Sequence, residues 1–555
     1  MNKIHFNILK LYHFLIEMII TIFVFTGTLK AQIVRTVDSL DQNLLNYYNR
    51  DSKIDKVAGV SVYKAYSELL KDKKSKRKIV VAVIDGGVDI NHEDLKGKLW
   101  INKKEIPGNG IDDDNNGYVD DINGWNFIGN SKGENINTEN VEQVRIVREY
   151  NPIFKNIKSE TEVETSKKEE YRMFVKAKQM LNEDRDEYLK RKKFLLETEK
   201  NVNEALEFFK KKTGMDKLNL KDIEAINDTT SSVVKRKALL LENYKKGYTP
   251  DVINSKINGI NFQLDKSLNP DFDARKIIGD NTNDIKDNKY GNGNVKGPNP
   301  GHGTFVAGII AANRNNGIGI DGIAENVEIM AIRVVPDGDE RDKDVALGIR
   351  YAVDNGANII NMSFGKDLSP NKKFVDDAIK YAEEHNVLLV HAAGNNSDNV
   401  DITERYPTNR LADNTKIKSW INVGASAKDI DKKLCGMFSN YGKQNVDLFA
   451  PGVKVVSLVP ENRYNVSNGT SFSCPVVSGV AALVWSYYPE LTAIQLKEVL
   501  LESTTKFAGK KVYIPNKKRL YTEKVKFGKL SQTGGIVNAY NALKLAEQKL
   551  KIKNN

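Results

Sequence analysis

The feature that most restricts the fold is Ile79-Val80-Val81-Ala82-Val83-Ile84, six apolar residues without a polar break. A strand with one wet face alternates apolar and polar residues, whereas a strand covered on both faces does not. The run therefore reads as a strand of a parallel sheet. Its β-branched residues favour the extended backbone. Similar short runs recur at 328–335, 358–362, 387–391 and 421–423, with helical patterns such as 344–355 and 374–385 between them. This alternation predicts an α/β fold, a mostly parallel central sheet with helices on both faces. A strongly apolar helix is expected over 473–488 and a terminal helix from about 537. Residues 32–78 read as polar and helix-leaning.

Residues 141–265 are different. They are rich in Lys and Glu, and Phe174, Leu181, Tyr188, Leu195, Val202 and Phe209 recur every seven residues. Met173, Met180, Phe194 and Phe208 flank that stripe, so the pattern is one long amphipathic helix. The second heptad position is mostly charged (Lys178, Arg185, Lys192, Glu199), so a clean coiled coil is not supported. The reading is an inserted α-helical region packed on its parent domain, with a partner-binding or regulatory arm as the alternative. Residues 254–300 turn to Asn, Asp, Gly and Pro, a loop-rich return.

Lys3 and Lys10 precede the apolar run Phe14 to Phe25, and small residues follow to Ala31. That is the order of a secretory signal. The run is short for a span, and Glu17 sits within it. The expected division is a signal at 1–31, domain segments at 32–140 and 266–547 around the insertion at 141–265, and a tail at 548–555. A secreted, periplasmic or cell-surface chain with no stable membrane span follows. The two cysteines, Cys435 and Cys474, are too few for a disulfide framework or a four-thiolate zinc site, and two buried free thiols are expected. The net charge of +11 comes from scattered lysine without aromatic-interleaved basic motifs, so no nucleic-acid partner is expected.

Three segments carry chemistry. Asp85-Gly86-Gly87 follows the long apolar strand, where open α/β sheets place working groups. Gly301-His302-Gly303-Thr304 puts an imidazole between glycines at a helix start. Of six histidines, His5 and His13 fall in the signal, leaving His92, His302, His385 and His391. Gly469-Thr470-Ser471 opens the apolar helix, where free backbone N–H groups and the helix dipole favour an oxyanion. Each segment alone has an ordinary reading, as a turn, a helix start or a cap.

Together, in the order Asp, His, Ser, they resemble the three signature segments of the subtilases, the subtilisin-like serine endopeptidases. The resemblance covers residues 79–130 and 275–505. It implies that Ser471 is the nucleophile, His302 the general base and Asp85 its orienting partner. His391-Ala392-Ala393-Gly394-Asn395 matches the family segment whose asparagine donates to the oxyanion, so Asn395 is the expected donor. Ser363-Phe364-Gly365 resembles the edge that pairs with an extended peptide. Ala392, Ala393 and Gly394 line the pocket for the residue before the scissile bond, and their small size favours a large apolar residue there. The implied partners are protein or peptide substrates, and no cofactor is implied for catalysis.

The chain departs from the family at Gly86, Phe305, Phe472 and Ser473, none of them a catalytic group. The largest departure is the 217 residues separating the Asp and His segments, which requires the insertion to leave and re-enter near the cleft. The segment after Ala31 is too short for the inhibitory propeptide of many relatives. The rival class is an idle subtilase whose arm binds a partner, and the intact Asp85, His302, Asn395 and Ser471 argue against it. Finally, Asp112, Asp114, Asn116 and Asp120, with the Tyr118 carbonyl, fit oxygen positions of a calcium loop turning at Gly117, although the closing glutamate of an EF-hand is missing. A structural calcium is the expectation. His92, beside Asp89, Glu93 and Asp94, reads as a structural residue.

Overall fold

The computed structural model describes residues 34–554, so the expected signal lies outside the described residues. The chain divides into two compact units. One comprises the chain up to Asn137 and from Arg275 onward, the other Thr138–Ala274.

The first unit is built on β1 (Ile79–Asp85), β2 (Gly124–Asn126), β3 (Val327–Arg333), β4 (Ile359–Met362), β5 (Leu388–Ala392), β6 (Trp420–Ser426) and β7 (Leu448–Pro451). Two hairpins follow or flank it, β8 (Val455–Val459) with β9 (Arg463–Ser467), and β11 (Lys511–Tyr513) with β12 (Lys524–Lys526). With β10 (Thr505–Lys506) and β13 (Gly535–Ile536), the main sheet has nine strands in the order β10-β13-β7-β6-β5-β4-β1-β3-β2. All its pairs are parallel except β10 with β13.

The long apolar run is β1, held between β3 and β4. Its register runs from Ile79 opposite Val327 to Asp85 opposite Arg333. Val81 and Val83 face a core shared with the helices Gly301–Ala311, Thr470–Tyr487, Ala493–Glu502 and Ala539–Asn554. Ala82 and Ile84 face the opposite core, with Asp342–Asp354 and Lys372–Glu384. Both faces are covered, so the strand tolerates no polar alternation. Each fully buried Val or Ile contributes about 1.5–3 kcal/mol. The helix Thr470–Tyr487 is buried along its length except at Ser471 and Tyr487, hence its nearly continuous apolar sequence.

Residues 34–70 follow the expectation only in part. Val62–Lys64 is helical and continues as Ala65–Leu69, while the rest forms short turns such as Val37–Ser39 and Tyr47–Asn49. Asp41 accepts the Asn43 N–H, and Asp51 accepts those of Lys53 and Ile54. Such local bonds compete with helix formation. The segment is still part of the core, because Tyr47 and Tyr48 are fully buried. The terminal helix runs on to Asn554, so most of the residues set apart as a tail are its last turns.

The second unit is helical. Lys168–Thr213 is one helix of 46 residues, about 69 Å long at 1.5 Å per residue. Phe174, Leu181, Leu195, Val202 and Phe209 are buried along it and Tyr188 is half-buried. Glu142–Phe154, Leu220–Glu224, Ser231–Lys245 and Pro250–Phe262 are further helices of this unit. Val233, Leu240, Ile253, Ile257 and Ile260 share a core with Leu195, Val202 and Phe209. No helix among the described residues is long and apolar enough to cross a membrane.

The helix Gly301–Ala311 meets the end of β1 at Gly303. A Cβ there would lie 2.2 Å from the Gly87 carbonyl oxygen and 3.2 Å from Asp85 Cβ. Gly303→Ala is expected to cost about 1–3 kcal/mol through overpacking, read as a lower urea midpoint at unchanged slope. An unchanged midpoint would show that this contact does not fix the helix.

Candidate active site

Open α/β sheets place ligands outside the carboxyl ends of their strands, at the point where strand order reverses. Here that point is β1, whose neighbours lead to β2 on one side and β7 on the other. Asp85 ends β1 and is buried, and its Oδ1 accepts the Gly86 N–H at 2.7 Å. His302 is the second residue of its helix, and its Nδ1 lies 2.9 Å from both Asp85 carboxylate oxygens. An ionised carboxylate only accepts, so the Nδ1 carries the proton and Nε2 is the free acceptor of the neutral ring. Asp89 N–H donates to Thr304 Oγ1 at 2.7 Å, a second tie between the strand's loop and the helix.

Burial alone would push the His302 imidazole down, but the charge of Asp85 and its hydrogen bond more than offset this and hold it above its ordinary value. The linkage sign follows: stability from the pair is fully present below about pH 6.5 and fades as pH rises through the raised value.

Ser471 is the second residue of the buried helix Thr470–Tyr487. Its Oγ donates to the Ser363 carbonyl at 3.0 Å, and Ser363 Oγ donates to the Ser471 carbonyl at 2.9 Å. The hydroxyl proton is thus held by Ser363, not by His302. The Phe472 ring packs on His302 at 5.6 Å and on Phe305 at 4.2 Å between centroids. The two aromatic departures from the family pattern are therefore one packed pair beside the imidazole.

Asn395 Oδ1 accepts the Thr470 N–H at 2.9 Å and the Thr470 hydroxyl at 3.0 Å. A backbone N–H can only donate, so the amide's oxygen end is fixed and its NH₂ end is turned away from Thr470. Thr470 Oγ1 also accepts the Gly394 N–H at 3.1 Å. Gly394 has φ +103°, and a Cβ there would meet Asn440 Nδ2 at 2.4 Å, so only glycine suits the turn. Asn440 brackets the segment, donating to the Ala393 carbonyl and accepting the N–H groups of Asn396 and Asp398. Sequence reading missed Thr470 and Asn440 as supports. Thr470 sits inside a quoted motif, but Asn440 leaves no local pattern. Ala392 and Ala393 are buried, and Gly394 is half-exposed.

Cys435 and Cys474 are buried free thiols, and burial pushes both up, away from thiolate chemistry. His92 is buried, accepts the Asp94 N–H at Nδ1 and lies 3.3 Å from the Arg463 carbonyl through Nε2. Both nitrogens serve the backbone, in a structural role.

The acidic loop folds around a residue that sequence reading did not include. Carboxylate oxygens of Glu105, Asp112 and Asp114 lie within 4.8 Å of one another. Asp112 accepts the Asn116 and Gly117 N–H groups, and Glu105 those of Asp113, Asp114 and Asp120. Asp120 is turned to the Gly108 and Gly110 N–H groups. Asn116 bonds Tyr118 N–H and Asp121, while the Tyr118 ring packs on Trp125, Phe127 and Tyr351.

Asp85→Asn removes the charge but not the burial. Its His302 is expected to titrate below the ordinary value near 6.5, followed by imidazole NMR. A value that stays raised would mean that Asp85 is not the cause.

The subtilase family model, Peptidase_S8, matches residues 76–520. The thermophilic serine proteinase of Bacillus sp. (strain AK1) is 34% identical over 275 residues, covering 49% of this chain and 58% of that protein. Alkaline elastase YaB of Bacillus sp. (strain YaB) is 38% identical over 207 residues, 37% of this chain and 50% of that protein. Subtilisin DY of Bacillus licheniformis is 37% identical over 207 residues, 37% of this chain and 70% of that protein. The chain spans about half the length of the first of these relatives. Among solved structures, a protease of Pseudoalteromonas arctica PAMC 21717 matches with a TM-score of 0.38 and 26% identity, over 48% of this chain and 82% of that one. On the extent of the family match, the chain belongs to the subtilase family.

Proposed function

We propose that the protein is a secreted serine endopeptidase that hydrolyses peptide bonds through an acyl-enzyme. The observation that carries this reading is the Asp85–His302 contact together with a serine in the first turn of a buried helix, whose next residue, Phe472, packs on His302. In this reading Ser471 Oγ leaves the Ser363 carbonyl, gives its proton to His302 Nε2 and bonds to the scissile carbonyl carbon. The amine leaves with the proton held by His302. Water then attacks the ester, with the imidazole again as base, and regenerates Ser471. Asp85 keeps the imidazole in the Nδ1–H tautomer and stabilises its charged form.

The developing oxyanion takes hydrogen bonds from the Asn395 NH₂ and the Ser471 backbone N–H, one of the first N–H groups of its helix. The substrate lies along Ser363-Phe364-Gly365, and its residue before the scissile bond enters the space bounded by Ala392, Ala393 and Gly394.

Structural calcium is part of the same proposal. Three hard carboxylate donors converge at Glu105, Asp112 and Asp114, a donor set that suits the ion. A bound ion would hold the 105–120 loop and takes no part in the reaction.

A fluorophosphonate probe is expected to label the mature protein on Ser471, and Ser471→Ala to abolish both labelling and casein hydrolysis. Labelling that survives the substitution would refute the nucleophile. Asn395→Ala is expected to lower kcat by roughly 100- to 1,000-fold, the loss seen when subtilisin itself loses its side-chain oxyanion donor. An unchanged kcat would remove Asn395 from the reaction. Calcium at 100 times its Kd should add about 2.7 kcal/mol of stability, so EDTA should lower Tm and Glu105→Gln should abolish that response. A Tm indifferent to EDTA would overturn the calcium reading.

A further inference from the structure

His391 has no part in the reaction drawn above. It lies on β5, opposite Met362 of β4 and Asn422 of β6, and is buried. Its ring packs on Trp420 with centroids 5.1 Å apart. Nε2 is 3.0 Å from the Phe364 carbonyl oxygen, and Nδ1 is 3.2 Å from Asn422 Oδ1. Asn422 Nδ2 donates to the Asn445 carbonyl at 2.6 Å, which fixes that amide's orientation. Both ring nitrogens therefore face acceptors. Burial pushes the imidazole down to about 4, and Asp447, which accepts the Asn422 N–H, is paired with Lys497. At ordinary pH the ring is neutral and carries one N–H for two acceptors. The shorter contact is the one to Phe364.

We propose that His391 is a positioning residue for substrate: its Nε2–H holds the Phe364 carbonyl and thereby aims the Gly365 N–H at an incoming peptide strand. The inference rests on the reading of Ser363-Phe364-Gly365 as the substrate edge. A trans peptide points its C=O and N–H in opposite directions. With the Phe364 carbonyl drawn toward His391, the Gly365 N–H of the same peptide unit points away from it. On the other side, the Ser363 carbonyl is beside Ser471 Oγ. The segment is thus held from both flanks, by Ser471 at residue 363 and by His391 at residue 364. In an antiparallel pair, two residues forward on one strand are two residues back on the other. The Gly365 N–H therefore serves the substrate residue two positions before the one opposite Ser363. His391 acts on extended peptides, not on a reagent that reaches only the nucleophile.

The test uses full-length mature protein. In a Ser471→Ala background, the Kd of an uncleaved peptide with four residues before the scissile bond is measured for His391, His391→Phe and His391→Gln. Phenylalanine keeps a ring on Trp420 but has no N–H, and glutamine restores a donor. The proposal expects His391→Phe to raise Kd about tenfold and His391→Gln to return it to within about threefold, the size of one neutral hydrogen bond. In the Ser471 protein, the fluorophosphonate labelling rate should stay within about twofold of the His391 form. An unchanged Kd, a glutamine variant as weak as phenylalanine, or a labelling rate that falls with Kd would each overturn it. Should the phenylalanine variant not fold, imidazole ¹⁵N shifts of the unsubstituted protein decide, because a proton on Nδ1 instead of Nε2 contradicts the proposal. Absent labelling with a shifted Kd would instead strike the nucleophile reading and leave this one standing.

Discussion

The hydrogen-bonded contact between Asp85 and His302 is made across 217 residues of sequence, and the architecture around it is arranged to bring the two ends together. The carboxylate is carried by a strand with no freedom to shift, because β1 is packed on both faces and paired on both edges. The imidazole is carried by a helix seated against the same loop. Val88 N–H donates to the Val295 carbonyl at 3.0 Å, and Lys296 pairs with Asp89 at 2.9 Å. The return of the chain from its insertion is thereby stitched to the residues that follow Asp85.

Buried polar groups beside the cleft do much of the remaining positioning through bonds to backbone and to one another. Arg333 is buried beside the end of β1. It donates to the Gly86 and Ile136 carbonyls and to Asn126 Oδ1. Burial pulls its guanidinium down to about 10, against the attraction of Asp337. Asn440 and Thr470 do the same for the turn that carries Asn395. In a low-dielectric interior an unmatched group of this kind is costly, so these networks favour one arrangement of the cleft over near alternatives.

The strands that carry the cleft are legible in the sequence because double burial writes itself as continuous apolar runs, as in β1 and β5. The helix of Ser471 is legible for the same reason, and the 46-residue helix because its buried face repeats every seven residues. Residues 34–70 are legible only in part, since their order comes from two buried tyrosines and many side-chain contacts to backbone. Glu105 escapes notice because it precedes the acidic run and meets Asp112 only when the loop closes. The bond between Ser471 and Ser363 joins residues 108 apart. Motif reading finds the residues, whereas such pairings exist only in three dimensions.

The central claim, that Ser471 becomes covalently acylated with His302 as its base, is tested most directly by trapping the intermediate. The mature protein is mixed with a p-nitrophenyl ester, quenched in acid, and mapped by mass spectrometry. The account predicts a burst of p-nitrophenol and an acyl group on the peptide bearing Ser471, both lost in His302→Ala. An acyl group on another residue, or turnover of the ester without any burst in the His302 protein and equally in His302→Ala, would contradict it.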